Sequence, residues 1–329
     1  MKAIEIPARW HTDLPVFAKP EFLRAVADHY GWLGGVDERD ELRCILPYTV
    51  VRRGPLSMVR FRVETLPQGG GLTLAQERSF LRAVTEHCRA IGADMVIPAT
   101  TNAVFRTYPE GADAAPYGSY TVDLAQGEDE LWRRVERITR QNINSARNAG
   151  VAVTDGSHVL PSVHALVTQT FKRSGLPFMS WGEFERYVQG LGEHGKVLLA
   201  SVNGRIESCA VFAFSRACAY AVYAGNPDQP LQGANKLLYW EAMRGFKQQG
   251  VRCFDFVGAR IRPERASKHD GINALKRRLG ATLKQGYIWK YSLRPWKYRL
   301  YGAAARWRSG GDIVDAERHK LGPAVQQGT

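Results

Sequence analysis

A chain of 329 residues with 44% hydrophobic and 23% charged content has globular values. It is long enough for two ordinary domains, and its composition excludes a disordered or fibrous class. No apolar run approaches the roughly 20 residues needed to span a bilayer. The N-terminus MKAIEIPARWHTDLPVF has no hydrophobic signal core, and the five cysteines (Cys44, Cys88, Cys209, Cys218, Cys253) are scattered without CxxC spacing, so reduced, mostly buried thiols in a cytoplasmic protein are expected, with no metal site.

In chain order, PEFLRAVADHYG predicts a helix, with Phe22, Leu23, Val26 and Tyr30 at helical spacing. RCILPYTVVRR and SMVRFRVETL predict strands rich in β-branched residues, separated by a turn at RRGPLS. PQGGGLT predicts a loop, LAQERSFLRAVTEHCRAIG an amphipathic helix stopped by Gly92, and ADMVIPA a buried strand. SYTVDLA predicts the next strand, and GEDELWRRVERITRQNINSARNAG one long basic helix ending at Gly150. VAVTDG predicts a short extended piece, and HVLPSVHALVTQTFKRSG and SWGEFERYVQGLGEHG two helices.

KVLLASVNG, RIESCAVFAFS and ACAYAVYAGN predict an antiparallel meander, the first two joined by the hairpin pair Asn203-Gly204. ANKLLYWEAMRGFKQQG predicts a helix, VRCFDFVGA a strand, GINALKRRLG a helix and GYIWKYSL a last strand; GPAVQQGT at the end predicts disorder. Both halves therefore carry helices, an antiparallel meander and strand–helix–strand. The expected fold is a duplicated α/β fold.

The net charge is +13. Between Arg260 and Arg308 there are 14 Lys and Arg against two acids, Glu264 and Asp270, which is +12 and leaves +1 for the rest. So local an excess predicts an anionic partner: nucleotide, nucleic acid, phosphorylated substrate or lipid head group.

Three places in the second half offer chemistry. The first is the start of the helix after AYAVYAGN, where unpaired N–H groups and the positive dipole end suit a phosphate. Gly233, Ala234, Asn235 and Lys236 are the candidates there, against a plain strand–helix connection. The second is Asp255, between Phe254 and Phe256 on a strand whose Val251 and Cys253 share its face. It is either structurally paired or a carboxylate at the carboxyl edge of the sheet, able to orient or deprotonate an amine. The third is the stretch from Lys268 through Lys276 and Arg277, on a helix that Asp270 is expected to cap and whose apolar residues Ile272, Leu275 and Leu279 lie on one side. A solvated charged face is the alternative.

These residues carry a resemblance. ITRQNINSARNAGV (Ile138–Val151), FKRSGLP (Phe171–Pro177), VLLASVNGRIESCAVFAFS, AYAVYAGN with QGANKLLYWEAM, GVRCFDFVGA and GINALKRRLGA follow one another as in the Fem-type aminoacyltransferases. Those are enzymes of the broader GNAT fold that build amino-acid branches on peptidoglycan precursors. The resemblance spans Tyr120 to Leu293, and GINALKRRLG stands where the family has a segment of FKxxFG type.

It implies a twin GNAT-like fold of mixed, mostly antiparallel sheets flanked by helices. Its parts are a degenerate N-terminal subdomain (1–119), a catalytic subdomain (120–293) and a basic aromatic tail (294–329). It implies acyl transfer to an amine without a metal or tightly bound cofactor. Lys276 matches the family's basic residue near the reacting carbonyl, Asp255 is the candidate base, and Arg140 and Lys268 are candidate phosphate ligands. Tyr223 and Asn226 are candidate substrate contacts.

The donor is aminoacyl-tRNA or acyl-CoA; PLQGAN keeps only Gly233 of the acetyl-CoA loop pattern R/Q-x-x-G-x-G/A. The acceptor is a lipid-linked or nucleotide-linked envelope precursor. Acyl-CoA-dependent transfer to a small amine, and a non-catalytic protein binding tRNA or membrane, are the alternatives.

Tyr287 to Arg308 holds seven aromatics and six Lys or Arg with no acid. Tyr287, Trp289 and Tyr291 fit core positions of the final strand. After Pro295, a helix bearing Trp296, Lys297, Tyr298, Arg299, Trp307 and Arg308 suits an anionic membrane surface, with the protein peripheral on the inner face of the plasma membrane. An RNA-contacting strip is the alternative.

Overall fold

The computed structural model describes residues 1–264 and 267–320. Its strands are β1 (Lys2–Ile6), β2 (His29–Val36), β3 (Leu42–Arg53), β4 (Leu56–Phe61), β5 (Leu66–Pro67), β6 (Met95–Val96), β7 (Asp113–Asp123), β8 (Ala152–Asp155), β9 (Gly195–Val202), β10 (Arg205–Phe214), β11 (Ala219–Gly225), β12 (Cys253–Asp255), β13 (Ala259–Arg260) and β14 (Thr282–Ser292). Its α-helices are α1 (Pro20–Val26), α2 (Leu74–Ala90), α3 (Glu128–Arg134), α4 (Arg137–Asn148), α5 (Leu160–Lys172), α6 (Trp181–Leu191), α7 (Ala234–Gln248), α8 (Lys268–Arg278), α9 (Pro295–Ser309) and α10 (Ile313–His319).

The strands form one continuous sheet in the order β1-β2-β3-β4-β6-β14-β7-β12-β11-β10-β9-β8, mostly antiparallel. This is the expected mixed α/β architecture. Strand β14 welds the halves: it runs against β7 from Thr282↔Thr121 to Lys290↔Asp113, then against β6 at Ser292↔Met95. Trp289 on β14 is buried against Phe61 and Phe105 of the first half. Helix α2 covers that half's sheet with Phe80, Leu81 and Val84. In the second half α4 and α7 cover one face through Ile143, Leu237 and Phe246, while α5 and α6 cover the other through Val163, Val167 and Phe184. Phe17, Phe22, Trp32, Tyr187 and Tyr220 join the halves in a further cluster.

Local rules account for most boundaries. Thr73 with Gln76 and Ser180 with Glu183 form capping boxes that start α2 and α6. Asn203 and Gly204 both take positive φ in the β9–β10 hairpin.

Four expectations need correction. The long basic helix is two, because Val135 and Glu136 are extended at the junction and Val135 is buried. The first helix ends at Val26, and HYG belongs to β2, whose Gly31 faces the Tyr48 ring on β3; a Cβ there would lie 2.7 Å from ring atoms. Ser267, not Asp270, caps α8, its hydroxyl accepting from the Asp270 N–H. Strands β7 and β14 begin earlier than expected, at Asp113 and Thr282. Strand β1 and α10 went unseen in the sequence. The disorder expected for GPAVQQGT lies outside the described residues.

All five cysteines are free, four buried and Cys253 half-buried. Burial pushes the thiols of Cys44, Cys88 and Cys209 up to about 12, which makes them inert.

Candidate active site

Strands β11 and β12 run parallel for only two residue pairs, Ala219↔Phe254 and Tyr220↔Asp255. Beyond them β11 continues to Gly225 while β12 has ended. Asp255 therefore sits at the carboxyl end of its strand, where open α/β sheets bind ligands.

It is 7% exposed. Its Oδ1 accepts from the Ser119 hydroxyl and, at 2.7 Å, from the Val257 N–H. Burial pushes its carboxyl up to about 6 against these two hydrogen bonds. Val257 has φ of 39°, which is strained for a β-branched residue, and Gly258 follows at φ of 63°. The turn is held from the other side by Lys276, whose Nζ donates to the Val257 carbonyl at 2.5 Å and the Gly258 carbonyl at 2.6 Å. Lys276 is also 7% exposed, and burial lowers its ammonium to about 8, opposed by the charge of Asp255. One strained turn thus brings the two candidate catalytic residues together. Arg277 points elsewhere, to the Tyr120 hydroxyl at 3.2 Å.

The remaining candidates lie in two other places. At the start of α7, Ala234 is buried and Asn235 and Lys236 are half-buried. Burial and the neighbouring Arg278 lower the Lys236 ammonium, and Glu136 opposes them. Gly233, at φ of 90°, is a close-packing glycine: a Cβ would lie 2.2 Å from the Asn142 carbonyl oxygen on α4. The approach it permits is that of α4, not of solvent. Gly233→Ala is expected to destabilise the protein by more than about 2 kcal/mol, since a left-handed strain and a backbone clash add. Thermal unfolding checks this, and an unchanged Tm would refute it.

Arg140 lies on α4, and its Nη1 donates to the carbonyls of Trp132, Arg133 and Val135, closing the end of α3. Its position between the two helices explains its type without a ligand.

Lys268 at the start of α8 donates to the Ser174 hydroxyl after α5. Nearby, Tyr223 packs edge-on against Phe178 and Tyr187, at 5.1 and 5.4 Å between centroids. Asn226 is tied through its backbone to Thr170 and Arg173, while its side-chain Oδ1 is buried without a partner among the described residues.

Sequence reading missed Arg60, Arg62 and Glu64, which lie on β4 and just beyond it, and Lys284, which pairs with Glu64 at 3.1 Å. The signal was present in MVRFRVE, where charged residues alternate with Val59, Phe61 and Val63.

The fold is a twin GNAT-like α/β architecture. Residues 133–266 match the family described as Acetyltransferase (GNAT) domain. In structure the chain is similar to FemX, with a TM-score of 0.65 and 15% identity over 91% of this chain and 99% of that one. It is also similar to the C-terminal domain of a putative lysylphosphatidylglycerol synthetase from Agrobacterium fabrum, with a TM-score of 0.52 and 15% identity over 90% and 94% of the two chains. A conserved protein of unknown function from Bacteroides thetaiotaomicron VPI-5482 gives a TM-score of 0.51 at 13% identity, over 86% and 92%. No curated protein matches the chain in sequence.

Proposed function

We propose that the protein is an N-acyltransferase that moves an aminoacyl or acyl group onto an amine of a cell-envelope precursor, with Asp255 as base and Lys276 as the charge stabiliser. The observation that supports it is the turn 255–258, where a carboxyl raised to about 6 and an ammonium lowered to about 8 are held on one strained segment at the strand edge. Above pH 6 the Asp255 carboxylate takes a proton from the acceptor ammonium. The freed amine attacks the donor carbonyl, and the Lys276 ammonium, charged below about pH 8, stabilises the tetrahedral oxyanion. Collapse expels the donor's leaving oxygen or sulfur, which takes up a proton as the attacking nitrogen sheds its own to form the amide. The ordered resemblance from Tyr120 to Leu293 and the similarity to FemX favour an envelope acceptor. Mass spectrometry of peptidoglycan precursors from cells with and without the gene tests the acceptor, and unchanged precursors would remove it. Turnover with purified aminoacyl-tRNA against acyl-CoA identifies the donor.

An acceptor that hangs from a lipid would place the enzyme at the membrane, and α9 supports that setting. Trp307 at 92%, Trp296 at 61% and Leu300 at 56% are the most exposed large apolar side chains among the described residues. They share one helical face at spacings of four and seven, with Arg299 and Arg306 beside them. Lys297 and Tyr298, expected on the same surface, instead turn inward: Lys297 bonds Asp94 and the Pro55 carbonyl, and Tyr298 bonds Asp113. The side chain of Arg308 lies outside the described residues. Among the described residues no helix is long and apolar enough to cross a membrane.

The outer stripe suits the head-group layer of an anionic leaflet. Because the inner face of α9 packs on the core, point variants test it better than truncation. Trp296→Ser with Trp307→Ser should abolish co-sedimentation with vesicles containing anionic phospholipid at low salt, while the wild type binds and is released as salt rises. Wild-type protein that ignores such vesicles would exclude this surface, and RNase-sensitive retention would assign it to RNA.

A further inference from the structure

Arg60 lies on β4 opposite Thr49, and Arg62, in the bend just after the strand, reaches the same Thr49 hydroxyl. The other face of β4 carries Val59 and Phe61 into the core under α2. Arg62 is 9% exposed and Arg60 is half-buried.

A buried guanidinium normally meets a carboxylate. Among the described residues, neither arginine forms an ion pair. Arg62 donates to the Thr49 hydroxyl at 3.3 Å and the Val26 carbonyl at 3.2 Å, and Arg60 donates to the Pro98 carbonyl at 3.1 Å. Asp312 acts on Arg60 only from beyond ion-pair distance, and it is bound to Lys290 at 2.9 Å. Burial and the charge of Arg60 together lower the Arg62 guanidinium to about 9. Two like charges thus sit side by side, and their guanidinium nitrogens that make no hydrogen bond among the described residues are not shut off from solvent.

What faces them belongs to the other half of the molecule. The phenols of Tyr187 on α6 and Tyr223 on β11 feel the charge of Arg62, and Tyr223 also feels that of Arg60. Two residues further along, Glu64 pairs with Lys284, and both act electrostatically on Asp255. A polar row therefore runs from the two arginines, past Glu64 and Lys284, to the candidate base.

We propose that Arg60 and Arg62 seat an oxyanion of the acceptor, a carboxylate or a phosphate, against Tyr187 and Tyr223, so that the acceptor's amine reaches Asp255 along the Glu64–Lys284 row. The inference rests on the N-acyltransferase reading and narrows it: the acceptor is an extended, anionic amine rather than a small one. The oxyanion supplies the counter-charge that the protein withholds, and the planar guanidinium forks suit either source.

Thermal unfolding of the full chain tests this without turnover. Inorganic pyrophosphate and glutarate are compared at constant ionic strength against chloride. The wild type should gain several degrees of Tm with one or both anions, because only the folded state binds them; the stronger response identifies phosphate or carboxylate as the source. Arg60→Gln should lose that response while its Tm in chloride stays level or rises, since an uncompensated charge has gone. Arg62→Lys, which keeps the charge but not the fork, should bind the anion about tenfold more weakly.

The proposal is overturned if neither anion exceeds chloride, if Arg60→Gln responds like the wild type, or if Arg60→Gln loses several degrees in chloride. A retained anion response in a protein that transfers no acyl group would leave this site standing and remove the enzymatic reading. Transfer with an unchanged acceptor KM in Arg60→Gln would do the reverse.

Discussion

Replacing Lys276 with alanine should lower kcat/KM about 100-fold or more while leaving the chain folded. Among the described residues, the ammonium is the formal positive charge that the 255–258 turn receives directly, through the Val257 and Gly258 carbonyls. If charge develops on the donor carbonyl oxygen beside that turn, nothing in an alanine replaces the lost attraction. Folding should suffer less, because burial already disfavours the charged form. With its folded value at about 8 against 10.5, Lys276 contributes stability above pH 10.5 and loses it as the pH falls towards 8. At neutral pH its buried charge is a cost that alanine removes, offsetting part of the two lost hydrogen bonds. Arg277→Ala, which loses only the bond to Tyr120, is the control and should retain most activity. Equal small losses in both variants would end the role of Lys276. The basic limb of the wild-type pH–rate profile should also fall near 8, and a limb near 10 would contradict the burial argument.

Asp255→Asn should separate stability from activity. Asp255 titrates at about 6 in the fold against 3.8 outside it, so its favourable contribution is complete below pH 3.8 and is lost as the pH rises through 6. At pH 8 the ionised, buried carboxylate costs on the order of 3 kcal/mol. Asparagine keeps an oxygen for the Ser119 hydroxyl and the Val257 N–H and carries no charge. The variant should therefore unfold at a higher temperature than the wild type at pH 8 and at a similar one near pH 4. Part of the gain is offset because Lys276 loses its nearest opposing charge. Transfer should drop about 100-fold or more, and the acid limb near pH 6 should disappear. A variant that is less stable at pH 8 would make Asp255 a structural residue.

Asp255 and Lys276 were visible in the sequence because each broke a pattern: an acid on an apolar strand face, and a cation run of one sign at a helix. Their neighbours were harder to see. Ser119 and Glu64 are 136 and 191 residues away from Asp255 along the chain, and nothing in local spacing relates them. Arg140 was legible as a cation but not by its partners. It stood in a basic helix and was read as a ligand for phosphate, yet its guanidinium serves carbonyls exposed by a helix break at Val135 that periodicity does not reveal. Gly31 misled in the same way, since glycine is rare in strands and only the Tyr48 ring across β2 and β3 explains it.

The sequence by itself determined most of the order of helices and strands, the meander with its Asn203-Gly204 turn, the duplicated α/β plan and the net +12 charge of residues 260–308. These follow from side-chain period, turn chemistry and composition, all of which act over a few residues. Only the tertiary structure decided that β14 joins the halves, that Lys297 and Tyr298 face inward while Trp296 and Trp307 face out, and that Arg60 and Arg62 form no ion pair among the described residues. Those outcomes depend on which surfaces meet after the chain has closed over long loops. They also depend on the cost of burying a charge, and both are properties of the packed molecule rather than of any segment.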